Sequence, residues 1–307
     1  MNPIQSVLIT GANAGLGKEA AKQLATQNGI EKIYLACRNE EKAQAAKTSL
    51  HADTGRDIFE IIIMDVSDPE SVKSAVANLN KPIDAVVLNA GGTGGKTPNH
   101  VDTNGVTHIF AANVLGHVIL VEELLAKQLI TSTVLYAGSE AARGIAKMGI
   151  TKPELTSSSV DEFVSIANGK KFGPDGDPLD IYSYIKLVAT YWMGAMAKKH
   201  PHIRFVTMSP GGTTGTNGMD NLPFLKKLFF KHVGGVLMPI LGMMHSVETG
   251  AKRYVDGLLN PKFESGHFYA SASESPTGPV IDQAQRFQQF NNPETQTNAY
   301  QAIYKFV

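Results

Sequence analysis

Short runs of β-branched and apolar residues alternate along this chain with longer stretches whose apolar positions recur at helical spacing. Ser6–Thr10, Lys32–Ala36, Ile58–Met64 and Ala85–Asn89 are too uniformly apolar to alternate in and out, as strands buried on both faces are. Thr133–Ala137, Arg204–Ser209 and Gly266–Ala270 repeat the pattern, which brings the expected strands to seven. Helical patterns fill the intervals: Gly17–Asn28, Glu40–Leu50, Pro69–Leu79, Val106–Leu129, Ile181–Lys199 and Val247–Leu259. Asp68 before Pro69 is a start signal, a capping side chain followed by proline in the first turn. Strand–helix alternation implies right-handed crossovers and a mainly parallel, doubly wound sheet with helices on both faces.

Two stretches break the rhythm. Gly144–Asp180 is polar and rich in Gly, Pro and Ser, and reads as a long functional or mobile insertion between a strand and a helix. Gly211–His245 opens on Gly and Thr and turns strongly apolar. Within it Leu222, Leu225 and Phe229 share one helical face opposite Lys226 and Lys227, and Val233–Met244 adds Met238, Met243 and Met244. Neither stretch looks independent, so the expectation is one domain over 1–307, with an insertion at 144–180 and a substrate lid at 211–245. For the lid, a core element or a subunit interface is the competing reading.

Composition narrows the partners. The 307 residues carry 28 Lys plus Arg against 28 Asp plus Glu, which offers no attraction to nucleic acid or an anionic membrane surface. Val233–Met244 is interrupted by Gly and Pro and is about half the ~20 residues of a spanning helix. Met1–Thr10 shows no secretory pattern, and Cys37 is the only cysteine, so the expected compartment is the reducing cytoplasm. The nine histidines form no H-E-x-x-H and there is no cysteine cluster, so no metal site is expected. A homo-oligomer is left open.

The chemistry starts at the first strand, which runs into Thr10-Gly11-Ala12-Asn13-Ala14-Gly15-Leu16-Gly17 and then a helix. Glycines there permit a tight turn and bring backbone amides toward a pyrophosphate at the positive helix end. The spacing is G-x-x-x-G-x-G, not the usual G-x-G-x-x-G, and a plain turn is the alternative. The place after a strand and before a helix is nonetheless the context that dinucleotide binding in a Rossmann fold requires. Gly11, Asn13, Ala14, Gly15, Leu16 and Gly17 are therefore candidate cofactor contacts. After the second strand, where an acidic residue would select NAD(H), stand Cys37 and Arg38. The planar Arg38 guanidinium suits a 2′-phosphate and favours NADP(H) over NAD(H), with a solvated surface arginine as the alternative. Asp65 and Val66 are placed to meet adenine, with a plain turn as the alternative for Asp65. The small residues Asn89-Ala90-Gly91-Gly92 would let a nicotinamide ribose approach the sheet. Asn113 is an amide inside an apolar helix and must find partners. Ser139 follows the fifth strand, and Tyr182 and Lys186 lie four residues apart on one helical face. A free tyrosine has a pKa of about 10, and a neighbouring ammonium would lower it. Tyr184 is the decoy, because Val188 stands four residues after it.

Taken in this order, TGANAGLG, ACRN, DV, NAGG, the helical Asn, the Ser after strand five, YSYIK and Ser209-Pro210-Gly211-Gly212 resemble the short-chain dehydrogenase/reductase family over nearly the whole chain. Within that family, ACRN, NVLGH, the long insertion and the runs PGGTTGT, LPFLKKLF and SVETGAKR are similar to the retinol dehydrogenase and light-dependent protochlorophyllide reductase branch. The resemblance implies hydride transfer between a nicotinamide and a carbonyl or alcohol carbon of a hydrophobic small molecule. Tyr182 would be the general acid or base, Lys186 would lower its pKa and hold the ribose, Ser139 would bind the substrate oxygen, and Asn113 would hold a relay water. Pro210, Gly211, Thr213 and Thr214 would complete the cofactor set. Two departures stand out: no cysteine besides Cys37 is present for a photoreductase pocket, and Gly215 replaces the usual Thr. The alternatives are reduction of a C=C bond, or a dinucleotide-sensing protein without catalysis.

Overall fold

The structure, a computed structural model, describes residues 3–94, 97–173, 176–214, 242–272 and 275–307. The strands are β1 (Ser6–Thr10), β2 (Lys32–Cys37), β3 (Phe59–Ile63), β4 (Ile83–Leu88), β5 (Ile130–Ala137), β6 (Arg204–Met208), β7 (Phe268–Ser271) and β8 (Val280–Asp282). They form one sheet in the order β3-β2-β1-β4-β5-β6-β7-β8, parallel except for the β7–β8 pair. The chain reverses its direction of winding between β1 and β4, so a crevice opens there beyond the carboxyl ends of the strands.

Helices cover both faces. Helices α1 (Gly15–Ala25), α2 (Glu40–Thr54) and α7 (Val247–Leu259) bury Ala20, Leu24, Leu50 and Leu258 with Val7, Ile9 and Val206 of the sheet. On the other face lie α3 (Pro69–Ala77), α4 (His108–Ala126), α5 (Val160–Ala167), α6 (Pro178–Lys199) and α8 (Pro293–Ile303). Their core holds Val72, Phe110, Phe163 and Trp192 against Leu8, Val86 and Val134. Helix α4 is long and apolar enough to cross a bilayer by length and composition alone, but here it is mostly buried against the sheet.

Local signals account for most boundaries. Asp68 accepts from the Glu70 N–H with Pro69 in the first turn of α3, and Asp177 accepts from Leu179 and Asp180 with Pro178 in the first turn of α6. That second signal starts α6 three residues earlier than the apolar pattern did. The sheet has eight strands instead of seven, because the short edge strand β8 is only half-buried and carries no apolar run. The 144–180 insertion contains α5, capped by Ser159, which buries Phe163 and Ile166. Helix α8 begins at Asn292-Pro293, the same kind of signal as Asp68-Pro69 in a more polar sequence. The lid prediction for Leu222–Phe230 and most of Val233–Met244 lies outside the described residues.

Candidate active site

A cleft of about 710 Å³ occupies the β1–β4 crevice and is lined by six consecutive segments of the sheet's upper edge. Gly11, Asn13, Ala14, Gly15, Leu16, Arg38, Asp65, Val66, Asn89, Ala90, Gly91, Tyr182, Lys186 and Pro210 all line it.

The glycine loop is shaped by backbone need. Gly11 and Gly15 have φ of +67° and +54°, which side chains with a Cβ rarely adopt. Helix α1 starts at Ala14 without a side-chain cap and without an acidic residue in its first turn. Its first N–H groups and positive end therefore face the cleft, a ready place for a phosphate. Gly17 differs from its neighbours. It does not line the cleft; a Cβ there would come within 2.6 Å of both the Asn89 amide nitrogen and the Gly11 carbonyl. Its missing side chain lets α1 pack closely against the β4 loop. Asn89 locks that packing by donating from Nδ2 to the Thr10 carbonyl at 2.9 Å.

At the adenosine end Arg38 is exposed at the cleft wall, and no hydrogen bond or ion pair among the described residues engages its guanidinium. Asp65 is both wall and turn: its carboxylate accepts from the Ser67 N–H at 2.9 Å and the Ser67 hydroxyl at 2.6 Å. Cys37 also lines the cleft, but burial pushes its thiol up to about 11, so it stays an unreactive thiol.

At the opposite end, α6 carries Tyr182 and Lys186 one turn apart, with Lys186 Nζ 5.4 Å from the centre of the Tyr182 ring. The Ser139 hydroxyl hydrogen-bonds the Tyr182 phenol, and Ser139 Oγ also caps the turn after β5 by accepting from Ala141 N–H at 3.1 Å. Burial pushes the phenol up to about 12, helped by the nearby Glu140 carboxylate, and pushes the Lys186 ammonium down to about 7. The expected lowering of the tyrosine pKa by lysine is not what this arrangement gives. Lys186 aims its protons at the Ala137 carbonyl (2.9 Å) and the Tyr136 hydroxyl (3.1 Å), and desolvation wins for both members of the pair.

Asn113 is fully buried on a π-helical turn, Ala111–Leu115, and does not reach the cleft. Its side chain pins the cofactor-side loop at Gly92, and its carbonyl accepts from the Tyr136 hydroxyl at 3.0 Å. Gly211, Thr213 and Thr214 also lie off the cleft wall. Thr213 Oγ1 donates back to the Gly211 carbonyl and Thr214 Oγ1 to the His245 carbonyl.

Two groups escaped the sequence reading. Tyr254 of α7 lines the cleft and is nearly buried, with its phenol near Tyr182 and Glu140. Glu140, beside Ser139, is buried with Arg253 at 3.3 Å and also accepts from Ser209 and from the Ser271 N–H and hydroxyl. This buried pair ties the ends of β5, β6 and β7 beneath the tyrosine. Neither group stands in a local motif; Arg253 and Tyr254 look like any charged and aromatic residues on an amphipathic helix.

Residues 5–148 match the family model described as short chain dehydrogenase. Over 126 residues the chain is 33% identical to retinol dehydrogenase 12 of Mus musculus, a match covering 40% of this chain and 39% of that protein. It is 26% identical over 214 residues to dehydrogenase/reductase SDR family member 12 of Homo sapiens, covering 68% and 61%. Over residues 5–148 the chain is similar to the short-chain dehydrogenases. The matched segment spans about two fifths of the length of the retinol dehydrogenases, and the family-model match ends before Tyr182 and Lys186, which the fold brings to the same cleft. Likeness of fold extends further. The L-sorbose reductase of Gluconobacter frateurii, complexed with NADPH and L-sorbose, aligns at a TM-score of 0.62 and 18% identity over 91% of this chain and 99% of that one. The NADPH-bound carbonyl reductase from chicken fatty liver aligns at 0.58 and 18% over 87% and 96%.

Proposed function

We propose that this chain is an NADP(H)-dependent short-chain dehydrogenase that interconverts a carbonyl and an alcohol on a hydrophobic small molecule. The observation that carries the proposal is the joining of two halves in one cleft: an uncapped glycine-loop helix with an exposed arginine at one end, and Tyr182 and Lys186 at the other, with Ser139 off the cleft wall but hydrogen-bonded to the Tyr182 phenol. The cradle fits a dinucleotide. Gly11, Asn13, Ala14, Gly15 and Leu16 would hold the pyrophosphate, Asp65 and Val66 would face adenine, and Arg38 would take a 2′-phosphate. Asn89, Ala90, Gly91 and Pro210 would border the nicotinamide half. When bound, that cofactor supplies the nicotinamide carbon that gives or takes the hydride.

The rest is the work of the chain's own side chains. Tyr182, held protonated, donates its proton to the oxygen of a carbonyl as that oxygen gains negative charge. Ser139, already hydrogen-bonded to the phenol, fixes the same oxygen. Lys186 presents positive charge beneath the pair and stabilises the phenolate that forms as the proton leaves. In the oxidative direction the same phenol must first lose its proton, so activity there rises with pH. Relatives named retinol dehydrogenases favour a long apolar alcohol or aldehyde over a sugar. A panel of carbonyls including all-trans-retinal, aromatic ketones and L-sorbose, run with NADPH and with NADH, tests the reading. Faster reduction of the apolar members with NADPH supports it; absence of turnover across the panel in both cofactors and both directions would leave only a binding role.

A further inference from the structure

Lys186 is nearly sealed from solvent, so each of its ammonium protons must find an acceptor in the protein. One goes to the Ala137 carbonyl and another to the Tyr136 hydroxyl. Tyr136 is itself fully buried on β5, and its hydroxyl donates to the Asn113 carbonyl. That donation leaves an oxygen lone pair for the lysine and, by polarising the phenol, strengthens it as an acceptor.

The chain of contacts continues. The Asn113 carbonyl also meets His117 Nδ1 at 3.2 Å, so Nδ1 carries the proton and Nε2 keeps its lone pair. Nε2 lies 3.0 Å from Thr10 Oγ1, which therefore donates to it. The oxygen of Thr10 in turn accepts from the Asn89 and Ala90 N–H groups, each at 2.9 Å. Two arms of donors, one from Lys186 through Tyr136 and one from the Asn89–Ala90 loop through Thr10 and His117, converge on the Asn113 carbonyl. The π turn of α4 is where Asn113 offers its carbonyl sideways to two partners.

We propose that Tyr136 is a positioning residue for Lys186, and that the buried chain Lys186–Tyr136–Asn113 carbonyl–His117–Thr10 joins the charge on Lys186 to the Asn89–Ala90 loop. The inference rests on the acid–base reading of Tyr182 and Lys186. Its physical content is that the Tyr136 oxygen stabilises the ammonium form of Lys186. Groups that face this lysine or its tyrosine are Tyr136 from β5, His117 from α4, Tyr182 from its own helix and Tyr254 from α7. Glu140, after β5, also acts on Tyr182 and is paired with Arg253. His117 is held neutral by burial, well below its usual range at about 3, and burial keeps Tyr136 protonated, so neither changes charge near neutral pH.

The direct test is a pH titration of the Lys186 ¹³Cε signal in the full chain, with the signal assigned by its loss in Lys186→Arg. In Tyr136→Phe the ammonium loses one of two acceptors, and its midpoint falls by about one pH unit or more. An unmoved midpoint overturns the proposal. If Tyr136→Phe does not fold, 3,5-difluorotyrosine at position 136 keeps the shape with a weaker acceptor. A lower midpoint then supports the proposal and an unchanged one refutes it. In the kinetic arm, reduction of the fastest carbonyl of the panel is followed against pH. The ammonium form of Lys186 stabilises the forming phenolate, so the limb of kcat/KM that follows loss of its proton near pH 7 moves to lower pH, whereas a packing defect lowers the rate at every pH without moving the limb. Should Tyr182→Phe keep normal turnover, the acid–base reading fails, and the ¹³C titration still decides whether Tyr136 holds Lys186.

Discussion

Asn113 grips Gly92 at both ends of one amide: its Nδ2 donates to the Gly92 carbonyl at 2.8 Å, and its Oδ1 accepts from the Gly92 N–H at 3.1 Å. A third bond, to the Ile109 carbonyl at 2.8 Å, fixes the side chain on its own helix. The loop after β4 is thereby fastened to α4, and Gly91 must be a glycine there, since its φ is +143° and a Cβ would stand 2.4 Å from Asn113 Oδ1. Asn113→Ala leaves the Gly92 groups unpaired in a partly buried place, at a cost of about 1–3 kcal/mol. Urea denaturation should show that loss. Calorimetry should show weaker NADP⁺ binding, because the loop bordering the cleft is no longer held; unchanged binding would confine Asn113 to stability.

Arg38 is the second case. Its guanidinium stands exposed at the cleft wall without a described partner, so removing it disturbs little in the fold. A lost charge-assisted contact to a 2′-phosphate is worth ~1.5–3 kcal/mol, or roughly tenfold and upward in affinity. Arg38→Ala should weaken NADPH by that factor and leave NADH nearly unchanged, as measured by fluorescence titration. Equal losses for both would remove Arg38 from cofactor selection.

The glycine loop, the paired Tyr182 and Lys186 and the strand core were legible because each is a local pattern, readable within seven residues. Gly17 looked like part of the phosphate cradle, but the reason for its missing side chain, Asn89, lies on another strand. Tyr136 and His117 read as core residues, and their hydroxyl and ring acquire meaning only when β5 and α4 pack. Tyr254 reaches the cleft from α7, more than 70 residues beyond Tyr182 in sequence. The protonation of Tyr182 was misjudged for a related reason. Charge proximity can be inferred from i, i+4 spacing, but the desolvation that outweighs it depends on everything packed around the pair.

Acid stability follows from His117. Its ring is fully buried and neutral, with a pKa lowered from 6.5 to about 3. Below pH 6.5 the unfolded chain binds a proton that the folded chain refuses, so this group's contribution to stability falls as pH drops toward 3. Between pH 7 and 5 the loss is about 2 kcal/mol at 1.36 kcal/mol per pKa unit. Urea unfolding across that interval should be steeply pH-dependent in the wild type and flatter in His117→Gln. Glu162, lowered to about 2, adds its own loss only below about pH 4.5, outside the interval. Equal slopes in the two proteins would mean that His117 is not held neutral.

The central claim is that Tyr182 moves the proton. Tyr182→Phe keeps the ring beside Lys186 and Ser139 and removes only the hydroxyl, so the measurement is kcat for the fastest carbonyl of the panel, alongside the Kd for NADPH. Loss of a positioned acid–base group predicts a fall in kcat of about 10²–10⁴-fold with cofactor affinity unchanged. Turnover within a few-fold of the wild type, with NADPH bound normally, would contradict the account.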